Sequence, residues 1–311
     1  MDASVVIPAR NAGATLAGTL SGLARQTTQA RFEVIVVDDG STDDTAAIAA
    51  DSGLPAKVLR GAGRGPAAAR NLGARAAGGA ALAFVDADCV PEPGWLDAAL
   101  LALDEADLVQ GRVLPPEGAD VGPYDRFIAV TSEYGLYETA NLVIRRELFE
   151  RLGGFESVLV PRRGIELGED VWLGWRARRS GARTTFAEAA LVRHAVFARG
   201  PAGFVGERAR LRFFPELARR IPELRGGFLY RRVFLSARSA HFDLALAGAA
   251  LALVTKRATP LVAAASYARD VHHGARGWPR PVEVAAVQVA ADMLGAAALA
   301  YGSIRSRSLL L

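Results

Sequence analysis

Short apolar runs rich in β-branched residues alternate with Ala/Leu-rich segments through the first two thirds of the chain. The apolar runs predict strands at Ser4–Pro8, Glu33–Val37, Val58–Leu59, Ala81–Val85, Leu108–Leu114, Asn141–Ile144 and Leu191–Val192. Apolar residues at helical spacing predict helices at Ala14–Arg25, Asp43–Ala50, Pro66–Ala77, Trp95–Leu103, Arg146–Leu152 and Glu169–Ser180. This alternation is typical of βαβ crossovers and predicts an α/β fold with a mostly parallel sheet.

From about residue 204 the pattern becomes helical and basic. Residues 204–221 mix apolar side chains with arginines, which predicts an amphipathic helix, broken at Pro215, that lies either on a membrane or against the rest of the protein. The stretch Leu244–Val254 is too short to span a bilayer. Val282–Tyr301 is long enough, but Asp292 within it would cost about 2.5–3.5 kcal/mol near mid-bilayer. We therefore predict helices that lie on or dip into a membrane, or that pack as a hairpin, rather than helices that span it.

Composition narrows the class of protein. A chain of 311 residues with 51% hydrophobic residues has the apolar content for a large core, which excludes a disordered chain. The single cysteine, Cys89, excludes a disulfide framework and a Cys-rich zinc site. The chain opens directly on a strand-like run, so we expect no secretory signal.

The charges are unevenly distributed along the chain. Residues 1–195 hold 20 Arg/Lys and 26 Asp/Glu, whereas residues 196–311 hold 17 and 7. An acidic part could bind a metal ion, and a basic part could bind phosphate or an anionic membrane surface. We predict two domains accordingly, 1–200 and 201–311, and expect no nucleic-acid partner.

Two aspartates, Asp86 and Asp88, directly follow the predicted strand Ala81–Val85. Period-two geometry places both carboxylates on one side of the chain, where they repel each other unless a cation lies between them. A divalent metal on a nucleotide diphosphate satisfies that need. Two solvated loop carboxylates are the alternative.

A second acidic pair, Asp38-Asp39, also follows a predicted strand, and ligands of parallel sheets collect at such strand ends. It is equally compatible with an Asx turn before the next helix. The stretch Gly61–Pro66 departs from the spacing of a dinucleotide fingerprint, so we predict a mobile loop leading to Arg70, which could meet a phosphate. Another flexible loop is predicted around Arg162-Arg163-Gly164.

Glu169 and Asp170 open a predicted helix after Gly168. Carboxylates in a first turn are stabilised by the helix dipole, and the functional alternative is a general base that reaches an acceptor hydroxyl. His194 follows the predicted strand Leu191–Val192. It is either a structural histidine or, beside a metal site, a neutral imidazole ligand.

Five motifs in order resemble those of glycosyltransferase family 2, and together they cover residues 4–195. They are Ser4-Val-Val-Ile-Pro-Ala-Arg-Asn11, Val36-Val-Asp-Asp-Gly-Ser-Thr-Asp43, Ala69-Arg-Asn-Leu-Gly73, Phe84-Val-Asp-Ala-Asp88, and Gly168-Glu-Asp170 with Trp175-Arg176. The resemblance implies a GT-A fold, Rossmann-like, with a mixed, mostly parallel sheet and flanking helices, here followed by a C-terminal helical region.

The resemblance also implies how a nucleotide-diphosphate sugar donor is bound. The residues that would line the nucleotide pocket are Pro8, Ala9 and Arg10. Asp39 would hold the base or the ribose, Arg70 would approach the diphosphate, and Asp86 would contact the ribose or the metal.

For the reaction, the resemblance implies that Asp88 and His194 bind Mg²⁺ or Mn²⁺. Asp170 would be the base of an inverting displacement, with Glu169 beside it. Trp172 departs from the small or acidic residue usual at its position in the family.

The function implied is a metal-dependent, inverting transfer of a sugar to a hydroxyl acceptor, lipid-linked or part of a glycan. The expected location is the cytoplasmic face of the cell membrane, with peripheral or monotopic association. Processive synthases of the resembled family carry a Q-x-x-R-W signature. This chain has none, and Glu207–Arg212 occupies that region, so we expect transfer of one or a few sugars rather than synthesis of a long polymer. The alternatives are a polyprenyl-phosphate glycosyl synthase and a non-catalytic, membrane-bound scaffold on the same fold.

Overall fold

The computed structural model describes residues 1–156 and 167–311, so the loop predicted at Arg162-Arg163-Gly164 lies outside the described residues. The chain divides into two compact units. Unit 1 comprises Met1–Asp120 and Phe127–Val196, and unit 2 comprises Val121–Arg126 and Phe197–Leu311. The assignment of 1–200 as a catalytic domain and 201–311 as a membrane-associated region stays a prediction.

Unit 1 is an α/β structure. Its described strands are β1 Ala3–Ala9, β2 Phe32–Asp38, β3 Ala56–Arg60, β4 Ala81–Val85, β5 Cys89–Pro91, β6 Leu108–Leu114, β7 Asn141–Arg145 and β8 Thr184–His194. Its described helices are α1 Leu16–Ala24, α2 Thr45–Ala50, α3 Pro66–Ala76, α4 Trp95–Glu105, α5 Arg146–Arg151 and α6 Glu169–Arg179. Most of the boundaries lie within a few residues of those predicted from the apolar pattern.

The strands form one sheet in the order β3-β2-β1-β4-β7-β6-β8-β5. β1 lies parallel to both β2 and β4, β2 is parallel to β3, and β6 is parallel to β8. β7 runs antiparallel to β4 and β6, and β5 runs antiparallel to β8. The prediction of a mixed, mostly parallel sheet with flanking helices is confirmed.

Alternate residues of the central strands face two separate cores, as a buried strand requires. Val5 and Ile7 pack in one cluster with residues of α1 and α4, whereas Val6 packs in the other with residues of α3 and α6. Gly73 allows α3 to approach the sheet, because a Cβ atom there would lie 2.4 Å from a Val6 methyl group. The carboxyl ends of β1, β2 and β4 are thereby held side by side.

Two elements of the sheet differ from the prediction. β8 begins at Thr184 rather than at Leu191. The prediction missed the first half of the strand because that half carries polar residues and because the pairing with β6 shifts register at Gly111/Arg112. β5 was not predicted, since it has only three residues and ends in a proline. These two strands pair with each other, and they bring Asp88 next to His194.

Unit 2 is helical in its described residues. Its helices are α7 Pro201–Glu207, α8 Phe214–Arg220, α9 Leu224–Gly227, α10 Ala237–Thr255, α11 Ala265–Ala275 and α12 Pro281–Ser306, with 3₁₀ segments at Arg208–Phe213 and Thr259–Ala264. α10 starts at a capping box in which Ser236 and Ser239 each accept from the other's backbone N–H. The predicted C-terminal helical region is present.

The basic helix predicted over 204–221 is divided into α7, a 3₁₀ segment and α8. Pro215 lies in the first turn of α8, where its missing N–H has no intrahelical partner to lose. The stretch Leu244–Val254 is part of the longer helix α10. By length and composition, α10 and α12 are each long and apolar enough to cross a membrane. Only 11% of the most apolar 18-residue stretch of α10, and 28% of that of α12, is buried.

Candidate active site

The nucleotide-side residues lie where β1 and β2 end. Ala9 is the partner of Asp38 in the parallel register, and the Asp39 N–H donates to the Ala9 carbonyl over 2.8 Å. Pro8 and Ala9 are the last residues of β1, and Arg10 follows them with an exposed side chain. The adjacent strand ends therefore bring the first two sequence motifs together.

Asp39 is buried, and its carboxylate organises the glycine-rich loop. Oδ1 accepts from the N–H of Gly63 at 2.9 Å and of Arg64 at 3.2 Å, and Oδ2 accepts from the N–H of Gly65 at 2.7 Å. The predicted mobile loop is thus anchored by three hydrogen bonds to one side chain. A contact between Asp39 and a base or ribose stays a prediction.

We expect the Asp39→Asn variant to lose about 1–3 kcal/mol of unfolding free energy, because its amide NH₂ group cannot accept from the loop N–H groups. Urea unfolding followed by circular dichroism measures this loss. The exposed Asp104 provides a matched control, since Asp104→Asn should change stability by less than about 0.5 kcal/mol. Equal stability of the two variants would show that Asp39 does not hold the loop.

Arg70, near the start of α3, joins two acidic motifs. Its Nη2 lies 2.7 Å from Oδ1 of Asp86, and its Nη1 lies 3.1 Å from Oε1 of Glu169. The Arg70 and Glu169 side chains are buried, and Asp86 is one quarter exposed. These partners lie 16 and 99 residues from Arg70 along the chain. The guanidinium therefore bridges the D-x-D motif and α6, a contact that the predicted diphosphate role did not include.

Asp88 and His194 face each other at the β5–β8 end of the sheet. His194 Nε2 lies 3.7 Å from Asp88 Oδ2, and His194 Nδ1 lies 2.6 Å from the Ala195 carbonyl oxygen. A donor bond from Nδ1 to that carbonyl leaves Nε2 as the nitrogen that can ligate. Burial and the neighbouring Asp86 carboxylate raise the pKa of Asp88. A divalent cation would relieve the repulsion between the Asp86 and Asp88 carboxylates, and the His194 imidazole is oriented to bind it.

Cys89 is a neighbour of this pair that the sequence did not identify. Its Sγ lies 3.8 Å from Asp88 Oδ1, and ligand atoms of Asp88, Cys89 and His194 lie within 4.8 Å of one another. Burial, with the Asp86 and Asp88 carboxylates, raises the pKa of the Cys89 thiol well above its usual value. Its position beside Asp88 follows from the sequence, whereas its closeness to His194 depends on the pairing of β5 with β8, which places the two residues opposite each other.

The first turn of α6 carries the second pair of acidic candidates. Gly168 precedes this turn in the left-handed conformation at φ 79°. A residue with a side chain would be strained in this conformation, whereas glycine is not. Glu169 is turned toward Arg70, whereas one oxygen of the half-buried Asp170 accepts from the Val171 N–H at 2.8 Å. Burial and the adjacent Glu169 carboxylate raise the pKa of Asp170 well above its usual value. A carboxylate of raised pKa is suited to accept a proton near neutral pH.

Trp172, which departs from the family pattern, takes part in a surface cluster. Its Nε1 donates to Oε2 of Glu156 at 3.0 Å, and the guanidinium groups of Arg176 and Arg179 lie 5.8 and 5.4 Å from its ring. Arg176 also pairs with Glu156 at 3.0 Å. Trp172 therefore joins α6 to the chain that follows α5.

Asn71 of α3 binds the backbone of Phe155, the residue before Glu156. Its Nδ2 donates to the Phe155 carbonyl at 2.8 Å, and its Oδ1 accepts from the Phe155 N–H at 2.9 Å. The Phe155 ring lies 5.7 Å from the Arg70 guanidinium. Adjacent residues of α3 thus contact both Phe155 and the start of α6.

Comparison with known proteins agrees with this arrangement. The family model described as glycosyl transferase family 2 matches residues 4–156. Glycosyltransferase AglE of Haloferax volcanii is 32% identical over 225 residues, which are 68% of this chain and 70% of AglE. The pre-mycofactocin glycosyltransferase of Mycobacterium tuberculosis is 34% identical over 216 residues, which are 62% of this chain and only 42% of that protein.

Among solved structures, the mannosyltransferase PcManGT from Pyrobaculum calidifontis, in complex with GDP-Man and Mn²⁺, superposes with a TM-score of 0.60. The match has 19% sequence identity and covers 98% of this chain and 86% of PcManGT. At this identity the likeness shows the fold alone, and it confirms the predicted GT-A architecture.

Proposed function

Since this chain belongs to glycosyltransferase family 2, we propose that it transfers a sugar from a nucleotide-diphosphate donor to a hydroxyl acceptor with inversion, in a metal-dependent reaction. The acceptor is a lipid-linked or glycan hydroxyl at the cytoplasmic face of the membrane. One or a few sugars are added in each reaction.

The observation that carries this proposal is the Arg70 bridge. One buried guanidinium contacts Asp86 of the D-x-D motif and Glu169, the residue before the proposed base. The donor-side carboxylates and the proposed base are thereby built into a single site. The buried arginine supports a catalytic site over a scaffold because it joins two acidic motifs from distant parts of the sequence.

Donor binding uses the ends of β1, β2 and β4. Pro8, Ala9 and Arg10 at the end of β1 would line the nucleotide pocket, and Asp39 holds the glycine-rich loop by hydrogen bonds to Gly63 and Gly65. Asp88 and His194 Nε2 would hold Mg²⁺ or Mn²⁺, which neutralises charge on the leaving diphosphate. The relative PcManGT was solved with GDP-Man and Mn²⁺, which supports this choice of donor class and metal.

Transfer needs one base and no enzyme nucleophile. Asp170 accepts the proton of the acceptor hydroxyl while that oxygen bonds to the anomeric carbon. The bond from the anomeric carbon to the diphosphate oxygen breaks, and its electron pair leaves with the diphosphate. Because the displacement is single, the anomeric configuration inverts. Arg70 and Glu169 hold the first turn of α6 in position for this step.

Nucleotide-sugar binding can be tested by thermal unfolding with GDP- and UDP-sugars, each with and without Mn²⁺. The matching donor with Mn²⁺, at a hundred times its Kd, should stabilise the protein by about 2.7 kcal/mol through mass action. The Asp88→Asn variant should lose the part of this shift that depends on Mn²⁺. If no nucleotide sugar stabilises the protein in either condition, the donor assignment is wrong.

A further inference from the structure

Helix α10 presents an apolar side to solvent. Five large side chains on it, which we call the α10 apolar face, are half exposed or more: Leu244, Leu246, Leu251, Leu253 and Val254. Leu253 and Val254 each reach 81% exposure. In a water-exposed helix the apolar side packs inward and the polar side faces outward. The α10 apolar face has the opposite orientation.

Two charged or titratable residues of the same helix, Arg238 and His241, are paired with residues of α11 and α12. Arg238 contacts Asp292 of α12 through Nε at 2.9 Å and Nη2 at 2.7 Å. His241 Nδ1 lies 2.7 Å from Oδ2 of Asp270 on α11. The Tyr267 hydroxyl completes the cluster by donating to Asp292 at 2.8 Å. Asp292, the charge that argued against a membrane span over Val282–Tyr301, is thus paired within the unit.

Helix α12 repeats this pattern. Gln288 and Asp292 take part in the interior cluster through Arg238. Between Val284 and Ile304 its exposed large residues are apolar or aromatic, namely Met293, Tyr301 and Ile304, whereas the exposed Glu283 and Arg305 lie near its ends. Two helices of the same unit therefore share a paired polar cluster on their inward sides and expose apolar side chains outward, which is the distribution expected of a surface in contact with lipid.

The charges next to the α10 apolar face are positive. Lys256 and Arg257 follow α10 directly with exposed side chains, and the exposed Leu261 and Val262 come next. The sequence from residue 244 to residue 269 contains no Asp or Glu. A surface with this charge complements anionic headgroups and repels a basic partner.

We propose that the α10 apolar face lies in the interface of an anionic lipid bilayer, with its leucine and valine side chains among the acyl chains. This inference rests on the proposed membrane-side function, and it names the surface responsible. The helix lies along the membrane plane rather than entering end-on. From Leu244 to Val254 it extends roughly 16 Å, about half of a hydrocarbon core, so end-on entry would bring Lys256 and Arg257 close to mid-bilayer.

Vesicle flotation tests the proposal with the full chain and liposomes of phosphatidylglycerol and phosphatidylcholine. We expect the parent protein to float with anionic vesicles, and much less with pure phosphatidylcholine. The Leu253→Glu/Val254→Glu variant should partition at least about tenfold more weakly, because two apolar side chains leave the lipid. Both positions are largely solvent-exposed, so the substitution leaves the interior of unit 2 intact.

A matched control is Leu101→Glu on α4 in unit 1, where the leucine is 72% exposed. This variant should float as the parent does. Equal flotation of the double glutamate variant and the parent would overturn the proposal, and so would a parent that does not bind anionic vesicles. Light scattering without lipid shows whether the face instead joins two copies, because the double variant would then be monomeric and the parent dimeric.

The stabilisation by nucleotide sugars and Mn²⁺ is measured on the same three proteins in solution. If it is retained while flotation is unaffected by the glutamates, the membrane surface is wrong and the donor assignment stands. If flotation behaves as expected and no nucleotide sugar stabilises any of the three proteins, the membrane surface stands and the donor assignment is wrong.

Discussion

The Asp170→Asn variant is expected to transfer sugar about 10²- to 10⁴-fold more slowly than the parent, because asparagine cannot accept the proton of the acceptor hydroxyl. Initial rates at saturating donor and acceptor measure this loss. The parent rate should also fall as the pH is lowered through the raised pKa of Asp170, since protonation removes the base. The remaining slow rate of the variant should not show this dependence.

Stability distinguishes a catalytic loss from a folding defect. Because the pKa of Asp170 is raised in the folded protein, the folded state binds this proton more tightly than the unfolded state does. The free energy of unfolding therefore decreases as the pH rises through the interval between the unfolded and folded pKa values. Above that interval the asparagine variant should be at least as stable as the parent in urea.

Full turnover by Asp170→Asn would refute the role of base. If that variant also yields a sugar on a lipid phosphate, the result favours the polyprenyl-phosphate synthase, since an ionised phosphate acceptor needs no base. Glu169→Gln serves as the neighbouring control. It removes the charge that contacts Arg70 but leaves the Asp170 carboxylate, so its rate loss should be smaller than that of Asp170→Asn.

The second large effect concerns Arg70. Replacing it with methionine keeps an unbranched, apolar stem but leaves the buried Glu169 carboxylate without its partner. Breaking a buried ion pair in this way costs about 3–5 kcal/mol. We expect that loss in the urea unfolding free energy of Arg70→Met, together with a large decrease in transfer rate.

The double variant Arg70→Met/Glu169→Gln provides the control. It removes the unpaired buried charge, so it should recover part of the stability that Arg70→Met loses. Its transfer rate should stay low, because Asp86 also loses a partner. If Arg70→Met costs less than about 1 kcal/mol, the bridge does not hold the two motifs together.

The order of strands and helices in unit 1 was predictable because its signals are local. β1, β2 and β4 each contain an uninterrupted apolar run of four or more residues, and α3 begins at a proline, as many helices do. Where polar residues or irregular pairing interrupted the pattern, prediction failed. The first half of β8 and the short strand β5 are stabilised by partners distant in sequence, which periodicity cannot detect.

The same reasoning applies to the site. Family motifs predicted which residues would gather at the strand ends, and Asp86, Asp88 and His194 do lie close together. Motifs could not predict that Arg70 would turn inward between two carboxylates, because that depends on the packing of α3 against α6. Nor could they show that Asp39 binds the glycine-rich loop, which requires the three-dimensional path of that loop.

The contacts of Arg70 and Asn71 have a consequence for engineering. Asn71 holds the backbone of Phe155 and Arg70 binds Glu169, so two adjacent residues of α3 position both Phe155 and the start of α6. Gly73, two residues farther along α3, lets the helix approach the sheet. A larger residue at position 73 would displace α3 and disturb both contacts together. Chimeras of related transferases should therefore take α3, Phe155 and Glu169 from the same parent.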